Sequence, residues 1–178
     1  MDKFQLELRS LKEDLITSIK SNIKGWHSKD FNLKDKEPQN FIKIISRQIE
    51  NLVREMDWDT KNQKTKITSM WAIINKGGAA NARHHHGNST ISAAYYVRAP
   101  ENCGDIVFYD PRPAPVYSYP NSNEPNYLNA QVNSITPNEG GLVLFPSYLD
   151  HSVNANLSEK ERIVISFNIT IQIKNSQN

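Results

Sequence analysis

Arg162-Ile163-Val164-Ile165-Ser166-Phe167-Asn168-Ile169-Thr170-Ile171-Gln172-Ile173 is the longest alternating stretch in the chain. Strand side chains point to opposite faces in turn, so Arg162, Val164, Ser166 and Asn168 share one face. That face carries a cation, a hydroxyl and an amide, and it predicts the lining of a cavity rather than of a dry core. Upstream, Lys66 to Asn75 is β-branched and partly alternating, and Lys76-Gly77-Gly78 breaks it. Ser89 to Arg98, Gly104 to Tyr109, Ala130 to Ile135 and Gly141 to Phe145 read as further strands, the last after a Pro137-Asn138-Glu139-Gly140 turn. Many short strands separated by turn signals predict a sandwich or barrel.

The first sixty residues follow a different period. Phe4, Leu8, Leu11, Leu15, Ile19 and Ile23 recur at steps of three or four, predicting a helix from residue 3 to about 25 that Gly25 ends. A second helix is expected after Asp35, with Pro38 in its first turn, where a missing N–H costs nothing. Its stripe is Phe41, Ile45, Ile49, Leu52 and Met56. Both helices are expected to pack on the sheet as support. No repeat or linker interrupts the 178 residues, so one domain is expected, with helical support over 1–60 and a β core over 61–178.

Composition narrows the function classes. Apolar residues make up 38% and charged residues 22%, and the formal charge is +2, which gives no electrostatic footprint for nucleic acid. No apolar run approaches the roughly 20 residues of a membrane span, and charges interrupt the N-terminal segment, unlike a signal peptide. The single cysteine, Cys103, excludes an internal disulfide and suits a reducing compartment. The expected setting is therefore the cytoplasm.

Four of the five histidines fall in two places: Arg83-His84-His85-His86, and His151 far downstream. On an extended backbone His84 and His86 point one way and His85 the other. A third imidazole from His151 completes one face of a metal, the other face being left for exogenous ligands; neutral imidazoles suit Fe, Zn, Cu or Ni. Asp150, adjacent to His151, should point away. Arg162 offers a planar guanidinium that grips a carboxylate through two parallel hydrogen bonds. Ser92, Ala94 and Tyr96 share a face of their strand, and the alanines leave room for a ligand. Residues 110–129 lack periodicity, and so long a connection is usually functional. Arg112 within it, and Tyr117, Tyr119 and Tyr127, are candidates to meet substrate or to cover it. A solvated arginine and packing tyrosines are the plainer alternatives.

Together these pieces resemble a known group. Asn75-Lys76-Gly77-Gly78, His84-His85-His86, Ser92-Ala93-Ala94-Tyr95-Tyr96-Val97, Gly104-Asp105-Ile106-Val107-Phe108 and Asp110-Pro111-Arg112 are similar to the first part of a 2-oxoglutarate/Fe(II)-dependent oxygenase. Gly140 to Ser147, His151 and Glu161 to Asn168 supply the rest, so the resemblance covers about residues 65–172. Its nearest kind is the prolyl-hydroxylase-like oxygenases of bacteria and tailed phages. The resemblance implies a mainly β fold with N-terminal helices, the double-stranded β-helix (jelly roll, cupin-like). It implies Fe(II) held by His84, His86 and His151. It also implies 2-oxoglutarate held by Arg162, with Tyr96, Ser92 and Asn168 nearby. Asn75, Arg112 and Ser166 are candidates for substrate contact or for support of the ligands. The implied reaction oxidises a substrate C–H bond while 2-oxoglutarate becomes succinate and carbon dioxide. One departure stands out: His86 occupies the place where this group usually carries an aspartate or glutamate.

Two other readings fit the same residues. One is a cupin-like three-histidine metalloenzyme that uses no keto acid, for which Arg162 would be unnecessary. The other is a non-enzymatic jelly-roll binding module, for which the histidines would be dispensable. The primary substrate, small molecule or peptide, and the oligomeric state are not encoded in any pattern of the sequence.

Overall fold

The computed structural model describes residues 21–112, 120–126 and 128–174. Two five-stranded antiparallel sheets dominate it. The strands are β1 (Asn22–Ile23), β2 (Trp26–His27), β3 (Gln63–Asn75), β4 (Ala80–His84), β5 (Ile91–Arg98), β6 (Ile106–Tyr109), β7 (Val132–Ile135), β8 (Leu142–Pro146), β9 (His151–Val153) and β10 (Arg162–Ile173). One sheet has the order β1-β4-β9-β6-β7 and the other β2-β3-β10-β5-β8. Among the described residues there is one helix, α1 (Lys36–Glu55).

β10 is the spine of the larger sheet, paired with β3 on one side and β5 on the other. Its two faces do different work, as the alternation predicts. Ile163, Ile165, Phe167 and Ile169 are at most 2% exposed and join Met70, Ala72 and Ile74 of β3 beneath α1. The helix buries Phe41, Ile45, Ile49 and Val53 on that surface. The Phe41 ring stands edge-on to Phe167 at 6.1 Å and to Tyr95 at 5.2 Å. Burying such side chains is worth about 1.5–3 kcal/mol each, so the helix is held by its stripe and not by its ends. Its N-cap Asp35 makes no capping bond. The opposite face of β10, with Arg162, Val164, Ser166 and Asn168, turns to a cavity between the sheets.

Three expectations need correction. The first predicted helix lies outside the described residues up to position 20, and it does not continue to residue 25. Asn22–Ile23 pairs with β4, and Trp26–His27 with β3, so this segment gives an edge strand to each sheet rather than helical support. The stripe of α1 ends at Val53; Met56 is 52% exposed, because the helix stops at Glu55. Finally, β4 ends at His84, so the extended backbone expected through His86 stops two residues short, and β9, three residues long, was not among the expected strands. No helix among the described residues is long and apolar enough to cross a membrane.

Candidate metal centre and anion pocket

His84 and His151 are register partners on β4 and β9, so backbone pairing alone sets their rings side by side, with centroids 4.3 Å apart. His86 follows just past the end of β4. Its N–H donates to the Ser147 carbonyl at 2.9 Å, which turns the segment back toward the other two rings. His86 lies 5.2 Å from each of them. One ligand atom from each histidine falls within 4.8 Å of the others, and among the described residues no carboxylate joins the group. Metal–nitrogen bonds of about 2.1 Å close such a spread with small ring rotations. His85 points outward, 3.0 Å from Asp150. Asp150 also receives Arg83 at 2.8 Å, so it turns away from the metal as its neighbouring position requires. Burial pushes the Asp150 carboxyl up, but hydrogen bonds from Arg83 and His85 outweigh this and hold it below the usual range.

The supports of the imidazoles could not be named from sequence, because they are backbone groups. Nδ1 of His84 donates to the Ala82 carbonyl at 2.7 Å, and Nδ1 of His151 to the Leu149 carbonyl at 3.0 Å. A carbonyl only accepts, so both rings carry the proton on Nδ1 and present a bare Nε2 to a metal. The Ser21 hydroxyl lies 3.3 Å from Nε2 of His84. Burial lowers the pKa of His84, and that of His151 to about 4, which keeps both in the neutral, ligating form. Phe145 closes on His151 at 4.6 Å. Trp71 is clamped between two imidazoles, His27 at 5.7 Å and His86 at 5.8 Å. Sequence reading missed His27 and Trp71, whose only signal was their place in apolar or β-branched runs.

The low His151 value has a consequence for stability. Between pH 6.5 and 4 the unfolded chain binds a proton at this residue that the folded chain refuses, so stability rises with pH across that window. The metal-free protein should therefore lose about 3 kcal/mol as pH falls from 7 to 4, His84 adding in the same direction. Urea midpoints measured at intervals from pH 7.5 to 4.5 should fall steadily, and the fall should flatten in His151→Asn.

Arg162 is 1% exposed at one end of the same cavity. Its Nη1 donates to the carbonyls of Cys103, Gly104 (3.2 Å) and Asn154 (3.3 Å), while Nη2 is buried with no partner among the described residues. Gly104 has φ +88°, and a Cβ there would lie 2.3 Å from the Asn154 carbonyl oxygen, so glycine is required for this grip. Burial lowers the arginine's pKa, yet a guanidinium stays charged in proteins. A buried cation tied down on one nitrogen and bare on the other is costly unless an anion completes it. Tyr96, opposite Val164 in register, is 1% exposed beside it, its hydroxyl pKa raised by burial.

Asn75 faces Arg162 across the β3–β10 pairing. Its Nδ2 donates to Asn81 at 3.1 Å, and its buried Oδ1 has no partner among the described residues. A Cβ on Gly25 would lie 2.1 Å from that oxygen and 2.4 Å from Oδ1 of Asn22. The glycine therefore serves close approach of the strand crossover, not the end of a helix. Gly25→Ala should destabilise the fold by about 1–3 kcal/mol and displace Asn75 from the pocket, read as a lowered urea midpoint.

The remaining candidates separate. Ser166 lines the cavity. Ser92 and Asn168 also line it, but they pair with each other across β5 and β10, six residues along β10 from Arg162. At about 3.3 Å per residue that is roughly 20 Å, too far for one carboxylate to touch both Arg162 and Ser92. Arg112 is not part of the cavity lining; it is ion-paired to Asp110 at 2.7 Å. Tyr117, Tyr119 and Tyr127 lie outside the described residues.

Fold and site together define a mainly β protein whose described residues bring three histidines fit to hold a metal and a buried cation into the same cavity. The profile of the family described as "Putative 2OG-Fe(II) oxygenase" matches residues 69–168, and the chain belongs to that family. Among solved structures, a prolyl-4-hydroxylase from Pseudomonas putida is similar at 13% identity and TM-score 0.61, over 93% of this chain and 83% of its own. The viral collagen prolyl hydroxylase of Paramecium bursaria Chlorella virus-1, a 2-oxoglutarate complex, is similar at 15% identity and TM-score 0.58, over 93% and 87%. The α-ketoglutarate-dependent epimerase SnoN of nogalamycin biosynthesis reaches TM-score 0.64 at 13% identity, over 99% and 76%. No curated protein matches the chain in sequence. The chain is thus an oxidoreductase of the 2-oxoglutarate- and Fe(II)-dependent class, and the three histidines suit its iron.

Proposed function

We propose that the protein is a hydroxylase, built on a double-stranded β-helix, that couples oxidation of a substrate C–H bond to conversion of 2-oxoglutarate into succinate and carbon dioxide. The observation that carries this reading is the orphaned Nη2 of Arg162, buried in the cavity that holds His84, His86 and His151. The cavity measures about 400 Å³, near the lower end of small-molecule pockets.

Each residue has a role in this reading. His84, His86 and His151 would hold Fe(II), which when bound supplies the redox chemistry with dioxygen. Arg162 takes the distal carboxylate of 2-oxoglutarate, and Tyr96 and Asn75 shape the space around it. The ligand set carries no negative charge, so the metal keeps its full charge and attracts a dianion strongly. The carbonyls of Ala82 and Leu149 fix two imidazoles in the ligating tautomer. Phe145 and Phe108, packed at 4.6 Å and 6.1 Å from His151, keep water from that side.

The three-histidine set by itself would also suit an oxygenase that binds its substrate directly to metal. Arg162 tells against that reading, since such chemistry has no use for a buried cation nearby. Incubating the protein with Fe(II), 2-oxoglutarate and dioxygen tests the proposal: succinate and carbon dioxide should form in equal amounts. Failure to form succinate, with metal bound, would leave the direct-binding reading.

A further inference from the structure

The cavity has two unlike ends. Ser166 lies opposite Trp71 in the β10–β3 register, and Trp71 stacks on His86. The metal centre therefore sits at the level of Ser166, with Arg162 beyond it in one direction and Asn168 in the other. At that second end a hydrogen-bonded ladder crosses the sheet. Ser92 donates to Oδ1 of Asn168 at 2.8 Å, so its 2.8 Å bond with Ser147 is donated by Ser147. Nδ2 of Asn168 donates to the Ser69 hydroxyl at 3.1 Å. Ser92 and Ser147 are 1% and 0% exposed, which fixes the ladder from behind.

Two donors are left over at the cavity end: the second N–H of Asn168 and the O–H of Ser69. Among the described residues, the carboxylate on this rim is Asp30, carried by the segment that hydrogen-bonds β3 on either side of Trp71, through Ser28 to Ala72 and Phe31 to Met70. With 2-oxoglutarate bound, its two carboxylates would offset the metal's charge; an anion entering here would then meet the Asp30 carboxylate and, among the described residues lining this end, no cationic side chain, whereas a neutral carbonyl would accept from both donors.

We propose that the Ser69–Asn168–Ser92 ladder is the subsite for the primary substrate, and that it receives an uncharged group through a carbonyl oxygen, such as an amide. This rests on the keto-acid reading, because it assigns the opposite end of the cavity to 2-oxoglutarate. It also moves Ser92 and Asn168 from the co-substrate to the substrate.

The test uses protein loaded with Mn(II) and saturating 2-oxoglutarate, with acetamide and acetate as probes of matched size. Manganese-induced relaxation of their methyl protons reports how closely each approaches the metal. Acetamide should show a saturable enhancement at least fivefold above that of acetate. Asn168→Leu should reduce it to the acetate level, and Ser69→Ala should weaken it about twofold to fivefold. Equal enhancement for both probes, or an acetamide signal unchanged in both variants, overturns the proposal. The methylene protons of 2-oxoglutarate serve as the internal control. If they relax in the wild type and both variants while acetamide does not, the subsite alone fails. If they never relax, the keto-acid reading fails first. Should Asn168→Leu lose the 2-oxoglutarate signal as well, Ser69→Ala decides.

Discussion

Arg162→Ala should abolish 2-oxoglutarate binding while leaving metal binding intact. The guanidinium is 1% exposed and meets only carbonyl oxygens on Nη1, with Nη2 bare. A carboxylate placed there forms charge-assisted bonds in a site shielded from water, where removing one partner costs about 2–5 kcal/mol. Since 1.4 kcal/mol is tenfold, the dissociation constant measured by calorimetry on Mn(II)-loaded protein should rise at least about thirtyfold. Arg162→Lys guards against a folding artefact. It keeps a charge but loses the fork, and should fall between wild type and alanine. An alanine variant that still binds 2-oxoglutarate as tightly as wild type, with its fold intact, would remove the co-substrate assignment. Metal affinity provides the contrast, because none of the three imidazoles touches Arg162.

Much of this was legible from residues, and the reasons differ by element. β10 was read to its exact limits, Arg162 to Ile173, because long alternation leaves no other solution. α1 was placed within a turn because its apolar stripe has a helical period. The shared direction of His84 and His86 was legible from extended-chain alternation, but β4 ends at His84 and it is the bond to the Ser147 carbonyl that holds His86 there; the outward turn of Asp150 followed from its place next to His151. What was not legible depended on partners distant in sequence. The two-residue strands β1 and β2 exist only because β4 and β3 offer them edges, and a helical period running through Ile23 masked them. The imidazole supports are backbone carbonyls, which no residue type announces. Ser92 and Asn168 lie on the cavity face as expected. Their distance from Arg162 depends on the pairing register of β10 with β5, which sequence does not give.

Replacing His151 by alanine should lower metal affinity by at least a hundredfold, and the reason lies in how the site is assembled. His151 and His84 are brought together by register on two adjacent strands, so neither can move to compensate for the other. Two imidazoles leave a metal half-held, and loss of an outer support alone already costs 10–100-fold in comparable sites, in order of magnitude. His86→Asp is the informative companion. It restores the carboxylate usual in this class and should keep the metal bound, but it halves the net charge that faces the keto acid. Two unit charges about 4 Å apart interact by about 4 kcal/mol near a protein surface, so even after screening the affinity for 2-oxoglutarate should fall about tenfold. Competition titration with a chelator, followed by 2-oxoglutarate calorimetry on each variant, separates the two effects. If His86→Asp bound metal and keto acid as the wild type does, the missing carboxylate would be irrelevant to charge. If His151→Ala kept its metal, the ion would lie elsewhere than between β4 and β9.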